Sequence, residues 1–265
     1  MDLGLGGKSV IITGGGSNIG RAIVLGYAEE GAHITVGDID VEQTERVAEQ
    51  ARAAGAASVQ VLPTDVTDLE QVRGLVDAAV AAHGTVDVLV NSVGWDKPMF
   101  FTQTTPEFWQ QVIQVNYLGV LNCTKTVLDI MIEKQKGCIV SISSDASRQG
   151  EPREAVYGGI KAAINSFMKT IAKENGRFGI RCNAVCPGLT MPATDEEVGS
   201  TSMWANKDSM FTEEQVEKVI RALPLRKITQ PRDVANAVLF LSSEDRAGDI
   251  TGQILSVSSG YSMIG

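Results

Sequence analysis

The chain has 265 residues, 43% of them hydrophobic, enough to bury a large α/β core without disulfides or metals. Its 23 basic and 32 acidic residues leave a net charge of −9 with no basic stripe, which argues against nucleic-acid binding. Residues 1–8 lack the basic and apolar segments of a signal peptide, and no later run is apolar enough to span a bilayer. A soluble, cytoplasmic protein is expected.

Short β-branched runs alternate with longer helical patterns along the chain. Residues 9–13 read as a strand, followed by a glycine-rich turn and a helix over about 19–30 that Gly31 stops. A second strand at 33–37 leads to an amphipathic helix at 41–54, ended by Gly55. The third strand, from 58 to 62, runs on to Asp65 and Val66, and Thr67 or Asp68 caps a helix reaching His83. Asn91 ends a fourth strand at 86–90. One long helix is predicted over 106–134, the fifth strand over 137–143, and a second long helix over 154–177. A strand at 180–186, a helix at 232–241 and a last strand at 253–257 complete the pattern. Seven strands with intervening helices predict one Rossmann-type, doubly wound domain over 1–265, a parallel sheet covered on both faces. Residues 189–209 show no clear period. A loop of that length after a strand's carboxyl end predicts a substrate loop.

Cys182 and Cys186 are spaced like half of a metal site. Neither Cys123, Cys138 nor the two histidines, His33 and His83, completes it, so buried thiols and no metal are expected.

Gly14, Gly16 and Gly20, with Ser17, Asn18 and Ile19 among them, allow a tight turn into a helix whose N-terminus can hold a pyrophosphate. Asp38 lies 18 residues beyond Gly20, at the end of the second strand, where a carboxylate accepts hydrogen bonds from an adenosine ribose. It would repel a 2′-phosphate, and the next residue is Ile39 rather than arginine, so NAD is favoured over NADP. Asp65 and Val66 are placed to meet the adenine edge, and Asn91 and Gly94 to border the cofactor.

Tyr157 and Lys161 stand four residues apart on a helix and therefore share a face. A tyrosine pKa near 10 is too high for proton shuttling at neutral pH, and an adjacent ammonium favours the phenolate. Ser144 ends the strand that precedes them.

With Asn116 and Pro187-Gly188 added, these residues resemble the short-chain dehydrogenase/reductase family over essentially the whole length. The resemblance implies that Tyr157 is the general acid/base and that Ser144 bonds the substrate oxygen. It implies that Lys161 binds the nicotinamide ribose and lowers the tyrosine pKa. Asn116 would bend its helix and hold a relay water, and Thr190 would contact the carboxamide. Four positions depart from the family pattern: Asn18 for a glycine, Asn91-Ser-Val-Gly94 for Asn-Asn-Ala-Gly, Tyr157-Gly-Gly-Ile-Lys161 for Tyr-x-Ala-Ser-Lys, and Ser258-Ser-Gly260 for Asp-Gly-Gly. None removes a reacting group.

Residues 93–96, 144–148 and 154–157 further resemble dehydrogenases of anaerobic ring degradation, which oxidise cyclic β-hydroxyacyl-CoA thioesters. That likeness implies Trp95 and Arg148, with Ser144 and Tyr157, as substrate contacts. Arg148, Arg153 and Lys207 would then form a positive patch for the CoA phosphates at the pocket mouth. The alternatives are a small alicyclic or aromatic alcohol as substrate, an NADPH-dependent 3-oxoacyl carrier-protein reductase, or a non-catalytic partner subunit. Family members commonly pair the two long helices, implying a homotetramer. Gln111, Val115, Leu118, Cys123, Ala163, Phe167 and Ile171 are candidates to face a symmetry mate or the core.

Overall fold

The computed structural model describes residues 2–194, 197–206 and 212–263. Seven parallel strands form one sheet: β1 (Ser9–Thr13), β2 (His33–Asp38), β3 (Ser58–Pro63), β4 (Val88–Asn91), β5 (Gly137–Ile142), β6 (Ile180–Pro187) and β7 (Ile254–Val257), in the order β3-β2-β1-β4-β5-β6-β7. Every residue of β1, β4, β5 and β6 is buried, as expected of strands covered on both faces. The strand order reverses between β1 and β4, which opens a crevice beyond their carboxyl ends. Register lines those ends up: Thr13 pairs with Gly37 on one side and Asn91 on the other, and Asn91 pairs with Ser141.

One face is covered by α1 (Asn18–Glu29), α2 (Val41–Ala54) and α9 (Pro231–Ser242). Gly26 lets α1 and α9 approach closely, since a Cβ there would lie 3.0 Å from Leu239. The other face is covered by α3 (Leu69–His83), α5 (Gly119–Lys134) and α7 (Ala155–Asn175), which bury Leu75, Val127, Met131, Ile164 and Met168. Local signals set the boundaries. Asp40 and Asp68 cap α2 and α3, and Gly55 and Gly84 end them in the left-handed conformation.

The long helix expected over 106–134 is interrupted. α4 (Pro106–Ile113) passes through one π turn, Gln114–Leu118, before α5 begins. Asn116 sits in that turn, and its Nδ2 donates to the Val112 carbonyl at 2.9 Å, competing with the helix ladder. Three short helices go beyond those expected from the sequence: α6 (Ala146–Gln149), α8 (Glu213–Ala222) and α10 (Glu244–Ala247). α8 is held by a capping box between Thr212 and Gln215 and turns its half-buried Val216, Val219 and Ile220 to one side, with Val219 on the cleft wall. β3 ends at Pro63, so Asp65 and Val66 lie in the turn beyond it rather than at the strand end.

Candidate active site

A cleft of about 770 Å³ opens at the carboxyl edge of the sheet over the β1–β4 crevice. Its floor starts at the β1–α1 turn. Gly14 has a φ of +70°, and a Cβ on Gly20 would lie 1.8 Å from the Gly14 carbonyl oxygen, so both positions admit only glycine. Asn18 takes a φ of 45°, a conformation asparagine tolerates better than most residues. Its Nδ2 donates to the Thr190 carbonyl at 3.1 Å, tying the turn to the segment after β6, while its Oδ1 is buried without a partner. The start of α1 has no side-chain cap and no acidic residue, which leaves its N–H groups directed toward the cleft-lining Ser17, Asn18, Ile19 and Gly20.

Asp38 lines the cleft past β2. Its Oδ2 accepts from the Gly16 N–H at 2.9 Å and its Oδ1 from the Asp40 N–H at 3.0 Å. Burial raises its pKa, and those two N–H groups oppose the rise. Gly16 thus orients Asp38 and is not itself on the cleft wall. Asn91, also expected at the cofactor, is buried: its Nδ2 donates to Ser141 at 3.1 Å, and the cleft is lined instead by Ser92, Val93 and Gly94. Asp65 and Val66 line the far end, with the Val66 carbonyl held by Asn122 at 2.9 Å.

Ser144, Tyr157 and Lys161 meet on the opposite wall. Ser144 follows β5, and the other two occupy the first turns of α7. The Ser144 hydroxyl lies where it favours the Tyr157 phenolate, and Lys161 Nζ stands 5.4 Å from the tyrosine ring centre. Lys161 is only 2% exposed and donates to the Ile142 carbonyl at 3.0 Å. Asn116 is fully buried and braces this corner. Its Oδ1 accepts from the Trp95 N–H at 3.2 Å, and its Nδ2 donates to the Trp95 carbonyl at 2.7 Å. Gly94 fits between Asn116 and Lys161, where a Cβ would lie 3.4 and 3.5 Å from their polar atoms. Pro187, Gly188, Leu189 and Thr190 line the cleft at the end of β6, with Thr201 to Trp204 beside them; residues 195, 196 and 207–209 of the expected loop lie outside the described residues.

The expected lowering of the Tyr157 pKa is not found among the protein groups. Burial pushes it well above the ordinary tyrosine range, and Glu154 and Asp96 push the same way, against the Ser144 hydroxyl. Lys161 is brought down to about 8 by burial, with Cys186 and Asp96 opposing. The two carboxylates, whose positions entered the sequence reading only as carriers of a resemblance, are the unforeseen part of the site. Asp96 is 6% exposed and its pKa rises to about 6, chiefly by burial. Glu154 rises to about 7 through burial, Asp96 and Glu151. Asp96, two residues past Gly94, and Glu154, three before Tyr157 on the same face of the α7 start, had a spacing signal that sequence alone carries.

Arg148, expected as a substrate contact, is not on the cleft wall. It donates to the Ile254 carbonyl at 2.9 Å and to Ser256 at 3.2 Å, toward β7 and away from the cleft. Arg153 donates to the Pro98 carbonyl and also lies off the cleft wall, and Lys207 falls outside the described residues. All four cysteines are buried and free. Among the described residues no group of His, Cys, Asp or Glu is arranged to hold a metal.

A family model described as enoyl-(acyl carrier protein) reductase matches residues 14–262. The 3-oxoacyl-(acyl-carrier-protein) reductase FabG of Thermotoga maritima is 34% identical over 97% of this chain and 98% of its own. The chain belongs to the short-chain dehydrogenase/reductase family. The 2,3-dihydro-2,3-dihydroxybenzoate dehydrogenase of Bacillus subtilis is 33% identical over 98% of both chains. A 7α-hydroxysteroid dehydrogenase solved with NADH and 7-oxo glycochenodeoxycholic acid superposes with a TM-score of 0.87 at 30% identity, covering 98% of this chain and 96% of that one.

As a short-chain dehydrogenase/reductase, the chain has local reasons for its departures. Gly158 lets α6 sit on α7, since a Cβ there would lie 3.0 Å from the Ala146 carbonyl oxygen. Ser92 takes the second asparagine position and anchors by its N–H to Thr13 Oγ1 at 3.3 Å. Ser258 stacks against Gly188 and holds its own loop through the Tyr261 N–H, which donates to its carbonyl at 3.0 Å.

Proposed function

We propose that this chain transfers a hydride between NAD(H) and a secondary alcohol or its ketone, and that the substrate is a small, neutral alicyclic compound. The cofactor reading rests on Asp38. A carboxylate oriented by the Gly16 and Asp40 N–H groups offers acceptors to ribose hydroxyls and repels a 2′-phosphate, while Ile39 beside it supplies no cation. The backbone fits a dinucleotide too: Gly14 and Gly20 let the turn close tightly against the start of α1, whose uncapped first turn is left for a pyrophosphate. In this reading Gly14 and the 17–20 turn hold the pyrophosphate, and Asp65 and Val66 flank the adenine. Gly94, Lys161, Pro187, Gly188 and Thr190 surround the nicotinamide riboside. A nicotinamide bound there takes or supplies the hydride.

Tyr157 moves the proton. Burial and the two carboxylates keep it a neutral phenol, set to donate to a ketone oxygen that Ser144 also bonds. For alcohol oxidation it must first lose that proton, and the Lys161 ammonium and the Ser144 hydroxyl favour the phenolate that results. Asn116 acts through Trp95 and Gly94 as a positioning residue.

The lining of the cleft speaks against the acyl-CoA reading. Beyond the residues given to the cofactor, the described lining carries Asp96, Asp145, Glu151 and Glu154 on the Tyr157 side against a single cation, Lys161. A polyphosphate would meet net negative charge there, and Arg148 and Arg153 are turned to other partners. Relatives named for a cyclic dihydrodiol and a steroid are in keeping with an alicyclic substrate. The four free thiols suit the reducing cytoplasm, and the family's helix pairing suggests a homotetramer.

Two measurements test this. NADH should bind at least tenfold more tightly than NADPH in a fluorescence titration, and tighter NADPH binding would reject the cofactor assignment. Cyclohexanol should be oxidised with a higher kcat/KM than 2-hydroxycyclohexanecarboxyl-CoA. The reverse order would return the acyl-CoA thioester to first place.

A further inference from the structure

Asp96 combines near-complete burial with an unpartnered carboxylate oxygen on the Tyr157 side of the cleft; Asp145, at 1% exposure, shares both features beyond Ser144 but also accepts from Ser256 at 2.6 Å. Asp96 is 6% exposed, lines the cleft with Tyr157, Lys161 and Glu154, and its Oδ2 accepts no hydrogen bond in the protein. A buried carboxylate without a side-chain donor is costly, so such a group on the wall of a binding cleft marks a place where the ligand completes the bonding. The Lys97 backbone N–H beside Asp96 favours the charged carboxylate, and the side-chain donors nearby are committed elsewhere. Lys161 Nζ donates to the Ile142 carbonyl, and both Asn116 polar atoms are bonded to the Trp95 backbone. Glu154 offers no donor once ionised, and it adds negative charge to the same wall.

We infer that Asp96 is a specificity-determining residue that accepts a hydrogen bond from a second hydroxyl of the substrate, next to the reacting carbinol, so that the preferred substrates are vicinal diols and their hydroxyketones. This rests on the dehydrogenase reading of the cleft and narrows its substrate class. A hydroxyl is chosen because the missing partner is a donor. A carboxylate in that place would bring like charge against Asp96, raised above its ordinary value by burial, and Glu154, raised by burial and by Asp96. Simple monoalcohols would bind but leave the Asp96 carboxylate unpaired, forgoing the discrimination that a site built around a substrate hydroxyl provides.

The experiment compares NADH formation from cyclohexane-1,2-diol, cyclohexanol and 2-hydroxycyclohexanecarboxylate by the full-length protein with NAD. The diol should exceed cyclohexanol in kcat/KM by about tenfold or more, the size of one hydrogen bond to a charged group, with the hydroxy acid last. In Asp96→Ala the ratio of diol to cyclohexanol should fall to within about threefold. If that variant does not fold, Asp96→Asn keeps the volume, and there the penalty on the hydroxy acid should shrink by about tenfold. A readout without turnover comes from Tyr157→Phe saturated with NAD, where the diol should raise Tm more than cyclohexanol does. Equal kcat/KM for diol and cyclohexanol in the wild type, or an undiminished ratio in Asp96→Ala, overturns the inference and leaves the dehydrogenase reading standing. No NADH from any of the three, and no reduction of their ketones, overturns both.

Discussion

At the scale of single residues, Tyr157, Lys161, Asp96 and Glu154 form one coupled electrostatic unit. Tyr157→Phe keeps the ring in place and removes the proton, so turnover should drop by about 10²–10⁴-fold while NADH affinity stays within about threefold; substantial activity in the variant would reject Tyr157 as the acid/base. The raised tyrosine pKa also sets a direction with pH. Ketone reduction needs the phenol and should weaken as pH rises, whereas alcohol oxidation needs the phenolate and should strengthen; parallel profiles for the two directions would contradict the assignment. Glu154 makes a separate stability prediction. Its folded pKa of about 7 lies above the ordinary 4.5. Stability tied to its neutral form is therefore present below about 4.5 and lost as pH rises through about 7. Glu154→Gln stays neutral, so melting curves should show the variant gaining about 1–3 kcal/mol on the wild type between acidic and mildly alkaline pH. A constant difference across that range would mean that Glu154 is not strained by its charge. Cofactor choice belongs at this scale as well. Ile39 is 63% exposed, so an arginine has room there, and Asp38→Ser with Ile39→Arg should shift preference toward NADPH by at least tenfold.

At the scale of elements, the π turn is where helix geometry serves the site. Asn116 uses its side chain to hold Val112 within the helix and Trp95 in the loop after β4, so it couples two elements that meet beside Lys161. Asn116→Ala should cost about 1–3 kcal/mol of stability and raise KM as the 94–96 loop loosens; an unchanged KM would confine Asn116 to a structural role. This turn also marks how far the sequence could be read. The period of residues 106–134 announces a helix, but an extra backbone residue within one turn leaves no trace in an apolar pattern. Strands β1, β2 and β5 were legible because continuous β-branched runs between glycines have few other fates, and α2 because Asp40 and Gly55 bracket it. α8 left a signal that went unread, since Thr212 and Gln215 form a capping box ahead of Val216, Val219 and Ile220 at helical spacing; with three branched apolar residues in ten, its period is short beside the irregular segment before it. In the site, Gly14, Gly20, Asp38, Tyr157 and Lys161 were legible from spacing along one chain segment each. The turning of Arg148 toward β7, and the pairing of Asp96 with Glu154 across two loops, depend on tertiary packing that spacing does not encode.

At the scale of the whole molecule, the surface of the α4–α5 and α7 helices bears on assembly. Of the residues expected to face a symmetry mate or the core, Cys123 and Ile171 go to the core, at 2% and 8% exposure, and Gln111 and Val115 line the cleft. Leu118 remains 39% exposed, and Ile113, one turn earlier, is 41% exposed. Large apolar side chains left open on this helix pair are what a helix-to-helix interface between copies would bury. Charge opposes that association, since each chain carries −9 and four together −36. A tetramer of such chains must hold against self-repulsion that is strongest when little salt is present. Light scattering at micromolar protein should therefore give the mass of four chains near physiological ionic strength, with dissociation appearing first as salt is withdrawn. Ile113→Glu with Leu118→Glu adds charge at the proposed contact and should yield smaller species with the fold, judged by circular dichroism, intact. A monomer at physiological salt in the wild type, or a tetramer indifferent to both substitutions, would remove these helices as the assembly surface.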